Sequence, residues 1–158
     1  MLADEVKQFI GKATDVRIFE VEKGAIRRFA DAVDDPNPLY RDDEYARESR
    51  YGSIIAPPGF FGWPSRQPRG AALATESRAG LMVALVEAGY ARVLDGGMEY
   101  EFFAPIRAGD TLAASAVIKN IREREGSTGA MAFVITEITY TNQNGDVVAR
   151  ARSTSIHR

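Results

Sequence analysis

The chain has 158 residues, 45% of them hydrophobic and 27% charged. These are the proportions of an ordinary globular domain, not of a disordered tail or a fibrous repeat, and the length suits one core, so residues 1–158 are read as a single domain. A net charge of -2 with scattered Lys and Arg offers no footprint for nucleic acid, and the absence of cysteine excludes disulfides, thiolate metal sites and cysteine nucleophiles.

The opening MLADEVKQFIGK lacks a signal-peptide core, and no apolar run reaches the length of a membrane helix, so a cytoplasmic protein with no membrane partner is expected. Leu2, Val6, Phe9 and Ile10 recur at helical spacing and Gly11 is placed to stop the helix. Residues 16–21 alternate as a short strand. Ile26, Phe29, Ala30 and Val33 then define an amphipathic helix over 25–33, with Arg27, Arg28 and Asp31 toward water.

Asp34-Asp35-Pro36-Asn37-Pro38-Leu39-Tyr40 cannot continue that helix, because each proline lacks an amide donor and drives its predecessor out of the α region. Asp42 is expected to cap a short helix over 43–48 that packs Tyr45 and Ala46 inward. From Tyr51 to Gly70 the prolines 57, 58, 64 and 68 impose irregular chain. Leu81, Met82, Leu85 and Ala88 predict a buried helix over 76–90.

The last third alternates with period two. Strands are predicted at 98–103, 111–121, 130–141 and 147–157, with a corner at Pro105 to Gly109-Asp110 and a hairpin at Asn142 to Asp146. Residues 130–141 are apolar on both faces, as in a strand covered on two sides. Ala149, Ala151, Ser153 and Ser155 share one face of the final strand, which lets another element approach closely. The element order predicts an α+β domain in which a curved antiparallel five-stranded sheet wraps around a helix, its open edges suited to a second chain.

Residues 29–42, containing Asp35-Pro36-Asn37-Pro38-Leu39-Tyr40, together with Tyr51-Gly52-Ser53-Ile54-Ile55-Ala56-Pro57-Pro58 and Glu99 to Asp110, resemble the MaoC-like (R)-specific enoyl-thioester hydratases and dehydratases, most closely their dehydratase N-terminal-domain branch. The resemblance implies the hot-dog fold, an acyl thioester substrate on coenzyme A or a carrier protein, and no metal or redox cofactor. In competent members an Asp and a His hold the water that adds across the double bond. Asp35 and Asn37 occupy matching positions here, but Tyr40 stands where the histidine would be, and a phenol is a poor base at neutral pH. Ala56-Pro57-Pro58 likewise replaces Ala-His-Gly, leaving Gly59 as the amide donor for the thioester oxygen.

Both departures imply the substrate-accommodating half of a double hot-dog, acting in a homodimer or in a heterodimer with a His-bearing hot-dog chain. Pro58, Gly59, Phe60 and Trp63 are then the expected substrate-binding residues, with the 57–70 segment reshaping the acyl pocket. A homodimer with an altered Asp35/Tyr40 site and a thioester-binding module without turnover remain as alternatives. Read without the resemblance, Asp35 is a turn residue, Tyr40 a packing residue, and Phe60, Phe61 and Trp63 the packing of a dimer seam. Arg66 and Arg69 read as solvated, as does the single histidine, His157, at its strand end.

Overall fold

The computed structural model describes residues 3–13, 16–64, 76–127 and 129–158. In chain order the elements are α1 (Asp4–Lys7), β1 (Arg17–Glu20), α2 (Lys23–Ala32), a 3-10 turn (Pro38–Tyr40), α3 (Asp43–Glu48), β2 (Trp63–Pro64), α4 (Glu76–Glu87), β3 (Val93–Phe102), β4 (Thr111–Gly126), β5 (Gly129–Thr141) and β6 (Val147–His157). The five expected strands form one curled antiparallel sheet in the order β1-β4-β5-β6-β3, and the two-residue β2 adds itself beside β1. This is the α+β hot-dog arrangement. The sequence-based reading had no strand at 63–64, where Trp63 pairs with Glu20.

One face of the sheet carries two apolar clusters. Ala25, Ile26 and Ala30 of α2 pack with Phe60, Phe61, Leu112, Tyr140 and Ala149. Val6, Phe9 and the inward side of α4 (Leu81, Ala84, Leu85) pack with Ile118, Ile121, Ala132 and Val134. The small residues on β6 are what let these layers approach, and Ala149 and Ala151 are fully buried.

Several local expectations are corrected. Val33 is exposed, because α2 ends at Ala32 and the cap residue turns off the apolar stripe. Tyr45 is exposed while its neighbour Ala46 takes the single inward position of α3. On α4, Val83 and Val86 face outward, so that helix is buried on one side only. The second face of β5 is half-buried; the Arg124 guanidinium lies 5.7 Å from the Phe133 ring centroid there. His157 is 2% exposed and not solvated, because it continues the inward alternation of Ser153 and Ser155 and lies opposite Ala132.

β3 starts five residues earlier than expected, at Val93, across an irregularity between Asp95 and Met98. A Cβ on Gly96 would stand 2.9 Å from the Thr154 carbonyl oxygen, and Gly97 has φ +107; both positions demand glycine at this bulge. Every residue of β3 is exposed, and its second edge pairs with no described strand.

Candidate functional site

The Asp35 to Tyr40 segment is set by the end of α2. The Asp35 amide donates to the Ala30 carbonyl at 2.8 Å and the Asp34 amide to the Asp31 carbonyl at 3.2 Å, the paired bonds of a Schellman ending. Glycine usually takes the left-handed position of that motif; here Asp34 does, with φ 54. The chain is thereby thrown back so that Pro36 and Pro38 enter a rigid turn.

Within the turn, the Asn37 amide donates to Asp35 Oδ1 and the Leu39 amide to Asn37 Oδ1, each at 3.0 Å. The Arg41 guanidinium donates to the Asp35 carbonyl at 2.7 Å and pairs with Asp31 at 3.1 Å. Asp35 and Asn37 thus spend their side chains on local bonds of the kind that hold Asx turns. Tyr40 is 7% exposed. Its phenol is pushed above its usual value by burial, then by the Asp35 carboxylate and Tyr51, against a smaller lowering by the Asn37 side chain. It therefore stays protonated at neutral pH.

Asn37 and Tyr40 line an open groove of about 530 Å³ with Tyr51, Pro58, Phe102 and Ile106. The 54–58 segment is fixed there by the Ala56 amide donating to the Ile106 carbonyl at 2.8 Å and the Ala108 amide to the Ile54 carbonyl at 3.0 Å. Arg107 further ties the wall by donating to the Tyr51 carbonyl at 3.2 Å. Asp35 is not among the lining residues. The structure therefore brings Asn37, Tyr40 and Pro58 to one surface, with Asp35 behind it, bonded to the Asn37 amide and near enough to act on the Tyr40 phenol.

The remaining expected binding residues are placed differently from one another. Residues 57–60 make a turn in which the Phe60 amide donates to the Pro57 carbonyl at 3.0 Å, and Gly59 takes φ +90; no described helix begins there to aim amides at a thioester oxygen. Phe60 is a core residue, its ring 5.2 Å from Phe29 and 5.8 Å from Trp63. Trp63 is 53% exposed. Arg66, Arg69 and the rest of the 65–70 stretch lie outside the described residues.

Sequence reasoning missed a second concavity. A cavity of about 290 Å³ lies between α4 and the inner face of the sheet, lined by Leu81, Ile118, Val134, Ser153, Ser155 and His157 among others. The signal was present, since extending the inward alternation of Ser153 and Ser155 by two residues reaches His157. Phe61 stands between groove and cavity: its ring stacks at 4.0 Å on Tyr140, a cavity residue, and at 6.0 Å on Phe102, a groove residue.

Comparison with known proteins agrees with this geometry. A UPF0336 protein of Thermobifida fusca is 32% identical over 151 residues, covering 89% of this chain and 94% of the relative. A probable enoyl-CoA hydratase alpha subunit of Thermomonospora curvata is 31% identical over 132 residues, covering 80% of this chain and 41% of that longer protein. Among solved structures, the ChsH1-ChsH2 complex of Mycobacterium tuberculosis contains a chain of the same fold, with TM-score 0.79 at 20% identity, covering 97% of this chain and 93% of that one. The truncated HadBC (3R-hydroxyacyl-ACP dehydratase) complex from the same organism gives 0.65 at 23% identity, covering 94% and 96%. The family model of the FAS1-like dehydratase domain region matches residues 8–151, and the chain belongs to that family, with a MaoC-like hot-dog fold.

Proposed function

We propose that this chain is the histidine-lacking, acyl-accommodating half of an (R)-specific enoyl-CoA hydratase or 3-hydroxyacyl-thioester dehydratase. The observation that carries the reading is Tyr40: a buried phenol, held protonated by desolvation and by Asp35, occupies the position where hydration needs a group that exchanges protons near neutral pH. Asp35 supports it, since its carboxylate oxygen Oδ1 accepts from the Asn37 amide within the turn.

In this mechanism a second hot-dog chain carries the Asp and His that take a proton from water and return one to the α-carbon. The present chain binds and orients the thioester's acyl group in the groove of Asn37, Tyr40 and Pro58, with Gly59, Phe60 and Trp63 shaping its border. No metal or redox cofactor enters the reaction. The surface for that partner is the outer edge of β3, where Val93, Leu94, Met98, Tyr100 and Phe102 are exposed along an edge that pairs with no described strand; pairing with a second sheet would satisfy the backbone and cover these side chains.

The test is enoyl-CoA hydration by this chain alone and by its complex with a co-purified hot-dog chain carrying Asp-x-Asn-Pro-aliphatic-His. Turnover is expected from the complex only, and Asp35→Asn in this chain is expected to leave it unchanged. Full turnover by the isolated chain, or collapse on Asp35→Asn, overturns the proposal.

A further inference from the structure

Ala149 of β6 is fully buried and stands in register between Tyr140 of β5 and Phe102 of β3. The two rings border different concavities, Phe102 the groove and Tyr140 the cavity beneath α4. With only a methyl group on the strand between them, a slot would run over Ala149 from one to the other. Phe61 fills that slot. Its buried ring stacks on Tyr140 at 4.0 Å and on Phe102 at 6.0 Å, and lies 5.4 Å from Tyr100.

Past that ring the cavity is apolar first and polar afterwards. The pair that follows Ala114 and Tyr140 along β4 and β5 is Ala116 and Ile138, both of which line the cavity. Two residues along a strand cover about 7 Å, the reach of about five methylenes. The next inward position on β5 brings the hydroxyl of Thr136, opposite Ser153, and Ser155 lies beyond. Arg17, half-buried, and Arg78, exposed, add charge to the lining. Hydroxyl and guanidinium groups resist losing water to a hydrocarbon, so only the stretch beside Phe61 suits one.

We propose that Phe61 sets the length of acyl chain this protein accepts: its ring ends the acyl path at Ala149, and the room around Ala116 and Ile138 is the extension it withholds. The inference rests on the acyl-accommodating role proposed above. It makes Phe61 a specificity residue with no part in the chemistry.

The test is calorimetric binding of saturated acyl-CoAs of four to fourteen carbons to the protein as purified, with any hot-dog chain that accompanies it, which reads length without turnover. Each buried methylene strengthens binding by about fourfold, so affinity should climb with length and level off where the chain meets Phe61. In Phe61→Ala the plateau should move out by about two to five carbons, and a chain four carbons past the original limit should bind at least about tenfold more tightly than to the unmodified protein. Phe61→Leu, which keeps an apolar side chain and decides the matter if the alanine variant does not fold, should move the plateau by about one or two carbons. Adding Ile138→Phe to either variant puts a ring into the opened room and should restore the original limit. A plateau unmoved by the Phe61 substitution, or one that Ile138→Phe does not restore, overturns this inference and leaves the proposed function standing. No binding at any length by the unmodified protein overturns the proposed function and this inference together.

Discussion

Tyr40→Phe separates a structural phenol from a chemical one. The ring is buried and its hydroxyl interacts with Asn37, while phenylalanine fills the same volume, so the change removes one hydrogen bond and creates no cavity. The expected cost is about 1 kcal/mol of folding stability, which for a chain of this length lowers the melting temperature by roughly 2–4 °C. If Tyr40 donated or accepted a proton in the transition state, its loss would slow turnover by about 10²–10⁴-fold. The assay is loss of enoyl-CoA absorbance by the two-chain complex, with variant and unmodified chain compared at saturating substrate, alongside a thermal melt. A small melting shift with kcat kept within about twofold is expected. A hundredfold fall in kcat without a change in melting temperature would refute the argument that the partner carries the chemistry.

Burial lowers the pKa of His157 from its usual 6.5, so as pH falls the unfolded chain takes up this proton first; the stability due to the neutral ring is complete above about pH 6.5 and is lost on descending toward the folded value. Urea unfolding at pH 7.5 and 5.5 should therefore show a smaller loss in His157→Gln than in the unmodified chain, and parallel losses would contradict this. Leu85→Ala empties a fully buried position beneath α4 and should cost about 3 kcal/mol by urea unfolding, whereas a cost below about 1 kcal/mol would mean the helix is not seated on the sheet. Asp34→Gly should leave stability within about 0.5 kcal/mol, because relief at φ 54 offsets glycine's entropy, while Asp34→Val should lose about 1–2 kcal/mol. Met98→Lys on the open edge of β3 should leave the fold intact by circular dichroism but prevent assembly measured by light scattering, and an unchanged mass would place the interface elsewhere.

Periodicity made the strands legible because their inward residues are small or apolar and strictly alternate, as in Ala149 and Ala151. The Asp42 cap was equally readable: its carboxylate accepts from the Glu44 and Tyr45 amides, each at 3.0 Å, through a local geometry that needs no tertiary context. What failed depended on where an element stops. Val33 continues the spacing of α2 but falls one residue past its end, and Tyr45 competes with Ala46 for a face only one residue wide. His157 is misread because its place at a strand end suggests solvent, although the two-residue period puts it inside. The turn carrying Asp35, Asn37 and Tyr40 was readable from its prolines, yet no spacing rule shows that Asp35 spends its carboxylate on the Asn37 amide, since that depends on the left-handed Asp34.

The Gly96-Gly97 bulge inserts one extra residue between Asp95 and Met98 against two-residue spacing on β6. Without it, residues before and after would lie out of phase, and Val93 at the cavity and Phe102 at the groove could not both stand on the same face of the sheet. The bulge thus lets one strand border both concavities, while Phe61, stacked on Tyr140 and Phe102, links their walls, so a substitution there is felt on both sides.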